Sequence, residues 1–255
     1  MENIELNRIY QMDCLEGMKL IPDKSIDMIL CDLPYGSSGC KWDNVIPLEP
    51  LWEQYKRIIK SDGAIALFGT DQFASILINS NLEMYRYKWI WNKLQSGSFQ
   101  LAKLKPMIIT EEILIFSKAK TANGAKLNMR YYPIKEKRDK PAKAGGKPST
   151  TDLLHSNNMV ALHNVYKDKY PINILTFKKP TGKNRVHPTQ KPEALFEYLI
   201  KTYTKEGETV LDNCMGSGTT AVACEINKRK WIGFEILPEY LEIANKRLEQ
   251  SQIEK

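Results

Sequence analysis

The stretch Val210-Leu211-Asp212-Asn213-Cys214-Met215-Gly216-Ser217-Gly218-Thr219-Thr220-Ala221 reads as a short strand, a Gly-x-Gly turn and the start of a helix. Glycines in such a turn let the chain bend tightly and let a ligand approach the backbone, while the following helix presents free N–H groups at its N-terminus. Glu235 lies 19 residues after Gly216, at the end of the next expected strand, where a carboxylate can accept both hydroxyls of a ribose. Taken alone, the pattern suits a dinucleotide dehydrogenase equally well, and a tight turn with no ligand is the plainer alternative.

Outward from that turn the chain alternates strands and helices. Downstream, the pattern predicts a helix over Thr219–Asn227, a strand over Trp231–Glu235 and a helix from Pro238 to about Gln250; upstream lie a helix, Glu193–Tyr203, and the strand Thr209–Leu211. Near the N-terminus Asp13 can cap a helix over Cys14–Leu20, followed by a strand over Ile26–Cys31. Leu48, Leu51, Trp52, Tyr55, Ile58 and Ile59 follow helical spacing, Asp62-Gly63 breaks it, and Ala64–Phe68 has the look of a buried strand. A helix with Phe73, Ile76 and Leu77 inward and strands over Tyr85–Trp91 and Glu112–Phe116 come next. From Lys118 to Val186 the rhythm stops, and a basic, polar stretch of that length is too long for an ordinary connection. The expectation is an α/β fold: a doubly wound, mostly parallel sheet of Rossmann-like type, formed by residues 1–117 and 187–255 and interrupted by one insertion, 118–186.

Bulk properties narrow the class. The chain has 255 residues, 42% apolar and 26% charged, which fits one large folded domain rather than a disordered chain. No apolar run reaches the roughly 20 residues that cross a bilayer, and Met1–Tyr10 lacks the layout of a signal peptide. The five cysteines (Cys14, Cys31, Cys40, Cys214, Cys224) are scattered without C-x-x-C spacing, which speaks against a disulfide framework or a metal site and for a cytoplasmic setting. Net charge is +7, and Ser117–Lys147 holds ten Lys/Arg against Glu136 and Asp139, so the positive field is local. A polyanion would select such a field; a solvated Lys-rich loop explains the charge equally well.

Asp32-Leu33-Pro34-Tyr35-Gly36 follows directly on the strand Ile26–Cys31, at the carboxyl end where open α/β sheets place their sites. The exocyclic amine of adenine is a poor nucleophile because its lone pair is delocalised. Asp32 and the backbone carbonyl of Leu33 could accept its two hydrogens and turn that lone pair outward. Pro34 would fix the carbonyl, and Tyr35 offers a flat face to an extruded base. A turn after a strand is the commoner reading of four such residues in isolation.

The two motifs together resemble a known family. Asp-Leu-Pro-Tyr is similar to the Asp-Pro-Pro-Tyr signature of amino-methylating DNA methyltransferases, and Asp212–Thr220 to that family's Asp-Pro-Phe-x-Gly-Ser-Gly-Thr-Thr cofactor loop. His187-Pro188-Thr189-Gln190-Lys191-Pro192 resembles the segment that helps hold the methionine part of the cofactor, and Asp13 matches the acid that contacts the cofactor's adenine. The catalytic loop comes first, the basic stretch second and the cofactor loop last, the order of the β class. The resemblance implies S-adenosylmethionine as cofactor, no metal, double-stranded DNA as partner, and the insertion as target-recognition region; homodimers also occur in this class. It assigns Asp32, Leu33, Pro34 and Tyr35 to catalysis and Asp13, Lys191, Asp212, Gly216, Gly218 and Glu235 to the cofactor, with Thr189 and Gln190 as lesser candidates. Asp rather than Ser at the head of the signature implies adenine N6 over cytosine N4. Leu33 departs from the signature's first proline, but contributes a backbone carbonyl; Asn213-Cys214 removes the aromatic ring of the family's loop.

Within the insertion, Arg130, Asn157, Asn158 and Arg185 are candidates to read base edges, and the lysines to contact phosphates. His155, His163 and His187 have no partner at motif spacing, and Trp42, Trp89 and Trp91 suit the core better than a base platform. Three rival readings stay in view. A methyltransferase for RNA or for a protein glutamine has the wrong motif order or lacks need of the insertion. A silent DNA-binding protein would not need Asp32 and Tyr35, and a dehydrogenase leaves Asp-Leu-Pro-Tyr unexplained.

Overall fold

The computed structural model describes residues 4–36, 43–97, 99–143, 165–182 and 190–253. His155, His163, His187, Asn157, Asn158, Arg185, Thr189 and Trp42 lie outside them.

Ile-Asp-Met-Ile-Leu-Cys forms strand β2 (Ile26–Cys31), every residue of which is buried. A strand that is apolar on both faces belongs in the middle of a sheet with both faces covered. It pairs in parallel with β3 (Ile59–Gly69) on one side and β9 (Thr209–Asp212) on the other. β9 pairs with β10 (Lys230–Glu235), which pairs with β1 (Arg8–Gln11), both in parallel. Beyond β3 the sheet turns antiparallel through β5 (Thr110–Phe116) to β4 (Tyr85–Asn92), and the short β8 (Ile174–Thr176) closes that edge. The order of the eight strands is β1-β10-β9-β2-β3-β5-β4-β8.

Alternation along the strands sorts side chains into two cores. Met28, Leu30, Ala66 and Phe68 face α4 (Glu193–Tyr203), α5 (Thr219–Ile226) and α6 (Pro238–Ile253), which contribute Leu195, Leu199, Ala221 and Ala244. Ile29, Cys31, Ile65 and Leu67 face α1 (Cys14–Lys19), α2 (Leu48–Ile58) and α3 (Asp71–Ser80), which contribute Met18, Trp52, Tyr55 and Leu77. Period 2 in the strands and 3.6 in the helices thus generate a three-layer α/β/α sandwich. Trp89 and Trp91 lie in the core, as expected, whereas Ile76 is exposed because it sits on the solvent side of α3.

The chain runs outward from β2 to β3 and, after a long excursion, from β9 to β10 in the opposite direction. The boundary between β2 and β9 is therefore the topological switch point, where the carboxyl ends of two adjacent strands open into a crevice. Asp32 and Asp212 stand at those two ends. At the other end of the same strands, buried Asp27 accepts from Lys60, Arg130 and the Thr209 N–H at 2.7, 2.5 and 3.0 Å. Arg130 also binds Asp62 and Glu208, at 2.7 and 2.8 Å. The guanidinium considered above as a base reader is committed to a carboxylate network within the sheet body.

By compactness the chain divides into Met1–Tyr132 with Asn173–Lys255, which carries the sheet, and Pro133–Ile172. The second unit contains an antiparallel pair, β6 (Glu136–Lys143) and β7 (Val165–Lys169), with Lys135 Nζ 4.5 Å from the centre of the Tyr170 ring. No helix among the described residues is long and apolar enough to cross a membrane.

Candidate active site

A cavity of about 520 Å³ opens at the switch point, lined among others by Asp13, Asp32, Tyr35, Lys191, Asp212 and Glu235. That volume is typical of a small-molecule site. Asp32 leaves the end of β2, and its carboxylate meets two donors: Tyr35 Oη donates to Oδ1 at 2.9 Å and Lys191 Nζ to Oδ2 at 2.7 Å. Lys191 comes from the segment that leads into α4. Its ammonium also lies 2.9 Å from Glu111 Oε1, so one cation bridges two carboxylates. Tyr35 Oη also lies 3.0 Å from Glu111 Oε1, so its single proton is shared between the two carboxylates, and Lys93 approaches the other Glu111 oxygen at 3.7 Å. Two acids and two cations leave the cluster with no net charge, which is what permits so many ionised groups at so little exposure.

Burial pushes the Asp32 carboxyl above its ordinary range; Lys191 pulls it back and Glu111 pushes it further up. Burial acts on Glu111 in the same sense, but Lys191, Lys93 and the Tyr35 hydroxyl outweigh it and hold Glu111 below its ordinary value. Lys191 itself is desolvated yet raised, because both carboxylates favour its charged form. Tyr35 is held neutral by burial and by the same two acids, and its ring stacks on Phe73 at 4.8 Å between centroids.

Across the crevice, the glycine turn is built from two left-handed residues, Gly216 (φ +52°) and Gly218 (φ +81°). A Cβ at Gly218 would lie 2.9 Å from the Ala244 side chain, so glycine also lets α5 start hard against α6. Glu235 braces the turn: its Oε2 accepts the Gly216 N–H at 2.8 Å and its Oε1 the Leu237 N–H at 2.9 Å. Asp212 accepts the Cys214 N–H at 3.0 Å and the Thr220 hydroxyl, and burial raises its carboxyl to about 7. Arg247 on α6 donates to the Ser217 carbonyl and pairs with Glu193, tying the turn to α4. Exposed Asp13 caps α1 through the N–H groups of Leu15 and Glu16.

The unusual pair Asn213-Cys214 has its own anchor. The Tyr55 hydroxyl of α2 donates to Asn213 Oδ1 at 2.5 Å, and Asn213 Nδ2 faces the sulfurs of Cys14 and Cys214 at 3.6 and 3.5 Å. Burial pushes Cys31 up to about 12, and the bond to Cys214 together with burial raises Cys14. Cys214 is lowered by Cys14 but raised more by Cys31 and burial, so the thiols stay protonated and poorly nucleophilic. No cluster of His, Cys, Asp and Glu suited to a metal ion occurs among the described residues.

The sequence reading did not single out Glu111, Lys93, Phe73 or Tyr55 for the site. Glu111 had one available signal: an acid near the start of an apolar strand beside the strand that Lys93 follows. The structure bonds Lys191 to Asp32, and Asp32, Leu33, Pro34, Tyr35, Asp13, Lys191, Asp212, Gly216 and Glu235 all line the same cavity, with Gly218 in the turn behind it.

Known proteins resemble this chain in sequence and in fold. A Type II methyltransferase of Haemophilus parainfluenzae, M.HpaI, is 29% identical over 255 residues, which is 95% of this chain and 74% of that protein. The DNA adenine methyltransferase YhdJ of Escherichia coli (strain K12) is 27% identical over 262 residues, 96% of this chain and 83% of the relative. The crystal structure of the M1.HpyAVI–SAM complex superimposes with a TM-score of 0.62 at 24% identity, covering 94% of this chain and 98% of that one, and it confirms the expected fold class. Residues 26–246 match the N6/N4 methyltransferase family model, described as DNA methylase, and the chain therefore belongs to the N6-adenine/N4-cytosine family of amino-methylating DNA methyltransferases.

Proposed function

We propose that the protein methylates N6 of an adenine flipped out of double-stranded DNA, with S-adenosylmethionine as methyl donor. The observation that carries this reading is the placement of Asp32, bonded to Tyr35 and Lys191, in the same cavity as the Gly216 turn and Glu235. Asp at the head of the signature and the adenine-specific relative YhdJ support adenine over cytosine.

The cavity fits the donor. Glu235 keeps lone pairs beyond the two it gives to backbone N–H groups and can accept ribose hydroxyls, while the left-handed Gly216 offers a backbone without side chain at the cavity wall. Asp13 and Asp212 complete the set of polar groups on that side. S-adenosylmethionine would supply an electrophilic sulfonium methyl carbon, whose bond to sulfur would break as the amine's forms so that the donor leaves as a neutral thioether, and no metal is called for.

The chain's own task is to make an amine nucleophilic and to hold it in line. Each Asp32 oxygen spends one lone pair on Tyr35 or Lys191 and retains another for an amine N–H. With the Leu33 carbonyl taking the second hydrogen, the nitrogen pyramidalises and its lone pair turns to the methyl carbon. The Tyr35 ring, backed by Phe73, supplies the stacking surface on its cavity side. The methylated amine then carries one proton too many. Asp32, whose carboxyl burial and Glu111 have pushed upward, takes that proton and returns it to water.

Residues 118–186 act as the target-recognition region, with Lys135, Lys137 and Arg138 of the Pro133–Ile172 unit set against phosphates. Extrusion of the base costs a few kcal/mol. The test is transfer of label from S-adenosylmethionine to unmethylated genomic DNA by wild type and Asp32→Ala, with digestion to nucleosides. N6-methyladenine from wild type alone supports the proposal; N4-methylcytosine would correct the base. Absence of transfer by a protein that binds the donor would sink it in favour of a silent DNA-binding protein.

A further inference from the structure

The connection from β4 to β5, Lys93 to Ile109, contains the two most exposed large apolar side chains among the described residues: Phe99 at 81% and Leu104 at 82%. Leu94, Leu101 and Met107 on the same loop are exposed as well. This is not an unfolded tether. Phe99–Leu101 forms a turn of 3₁₀ helix, with Ala102 N–H donating to the Phe99 carbonyl at 3.0 Å. The Leu104 and Lys105 N–H groups donate back to the Leu101 carbonyl at 2.9 and 3.0 Å, so the tip is preformed. At the root, Lys93 N–H bonds the Ile109 carbonyl at 2.8 Å, and Leu94 is held at φ +59°, a left-handed conformation that costs a non-glycine residue free energy. A hydrogen-bonded tip that keeps Phe and Leu in water, on a strained root, is built to be covered by something.

Position and charge identify the occupant. Both roots of the loop belong to the catalytic cluster, since Lys93 and Glu111 pair with each other and Glu111 with Tyr35 and Lys191. The loop therefore rises from the rim of the cavity that must receive a base. From Lys93 to Ile109 there is no acid and there are three lysines, two of which, Lys103 and Lys105, flank Leu104. A second copy of the same loop would set those cations against each other, whereas a nucleic-acid duplex offers phosphates to the lysines and stacked bases to the apolar tip.

We propose that Phe99 and Leu104 enter the base stack of duplex DNA beside the target nucleotide and hold open the gap its extrusion leaves, with Lys103 and Lys105 on the flanking phosphates. The inference rests on the DNA-methylating reading above and adds to it the device that separates the base from its neighbours. Apolar wedges of this kind act by replacing lost stacking, so their removal penalises only substrates whose base is still stacked.

The experiment compares wild type with the double variant Phe99→Ala/Leu104→Ala on two oligonucleotides carrying the sequence that wild type methylates. One is the paired duplex; in the other the target faces an abasic site and is already loosened. The expected result is a loss of about tenfold or more in rate on the paired duplex and under about twofold on the abasic one. With 2-aminopurine at the target, the fluorescence rise on binding should fall in parallel. Both side chains are exposed, so the melting temperature and donor affinity should hold, which separates this failure from failure of the methyltransferase reading. Equal loss on both duplexes, no loss on either, or dissociation of a dimer by the double variant in sedimentation would each overturn the wedge.

Discussion

Lys191→Met replaces the cation that bridges Asp32 and Glu111 with an apolar side chain of similar length. Lys191 is 8% exposed, and its ammonium makes two charge-assisted bonds, at 2.7 and 2.9 Å. After the change, Lys93 at 3.7 Å from Glu111 is the remaining cation for two carboxylates. Breaking a buried pair by removing one partner costs about 3–5 kcal/mol. The stranded group has an escape, because Asp32 can take up a proton, and this caps its penalty at about 1.4 kcal/mol per pH unit above the ordinary carboxylate value. That cap is about 6 kcal/mol at pH 8 and about 1–2 kcal/mol at pH 5.

The sign follows from the direction of the shift. Asp32 is raised by burial already in the wild type, and removing Lys191 takes away the largest influence lowering it. A carboxyl raised in the folded state destabilises nothing below the unfolded pKa and progressively more as pH rises through the folded one. Urea unfolding at pH 5 and pH 8 should therefore show a small loss at the lower pH and a loss of about 3–5 kcal/mol at the higher. Adding Glu111→Gln should return a large part of the loss at pH 8, because one of the two stranded charges is gone. A pH-independent loss, or no recovery in the double variant, would refute the claim that the two acids share one lysine.

Glu235→Gln keeps an oxygen for one backbone N–H but turns the other acceptor into a donor, so affinity for S-adenosylmethionine, by calorimetry without DNA, should fall about tenfold or more. Gly218→Ala forces a side chain into a left-handed residue and against Ala244; it should cost about 2–3 kcal/mol, read as a melting temperature lower by about 5–10 °C. Arg130→Met should cost about 3 kcal/mol by unfolding and leave methylation rates unchanged, since its network lies at the end of β2 opposite Asp32. Asp27 is pushed up by burial but held below its ordinary value by Lys60, the Thr209 N–H and Arg130. The stability it contributes is therefore present above the ordinary carboxylate range and lost as pH falls through its lowered value, and the variant should lose less on acidification than wild type.

What the sequence discloses follows the physics of burial. β2 and α4 fall where the pattern places them, Ile26–Cys31 and Glu193–Tyr203, because one is apolar throughout and the other has a continuous apolar face. β1 and β8 escape it, being four and three residues long at the two edges of the sheet, too short to show a period. β6 and β7 are composed largely of charged residues and pair through their backbones, which leaves no periodicity to read. β3 runs straight through Asp62-Gly63, since a Cβ at Gly63 would strike the Asp27 carbonyl at 2.7 Å: that glycine marks close strand packing rather than a turn. In the site, Asp32 and Tyr35 are legible because they neighbour each other in a loop with a strand before it. Glu111 is 76 residues from Tyr35, and only the antiparallel return of β5 beside β3 brings it there.

That return explains why a mostly parallel sheet ends in antiparallel strands. A parallel β5 would place Glu111 at the amino ends of the strands, on the side of Asp27 and away from the crevice. Running antiparallel, β5 begins at the carboxyl ends of its neighbours, Glu112 opposite Gly69, and delivers Glu111 to the crevice with Lys93 from the end of β4. Lys191 then has a second carboxylate to satisfy, and the Asp32 carboxyl keeps the upward push of a nearby negative charge as well as of burial. An acid paired with lysine alone would be drawn down and would hold an amine without readily accepting its proton. On the proposed mechanism, burial and the second acid carried in by topology together leave Asp32 able to do both.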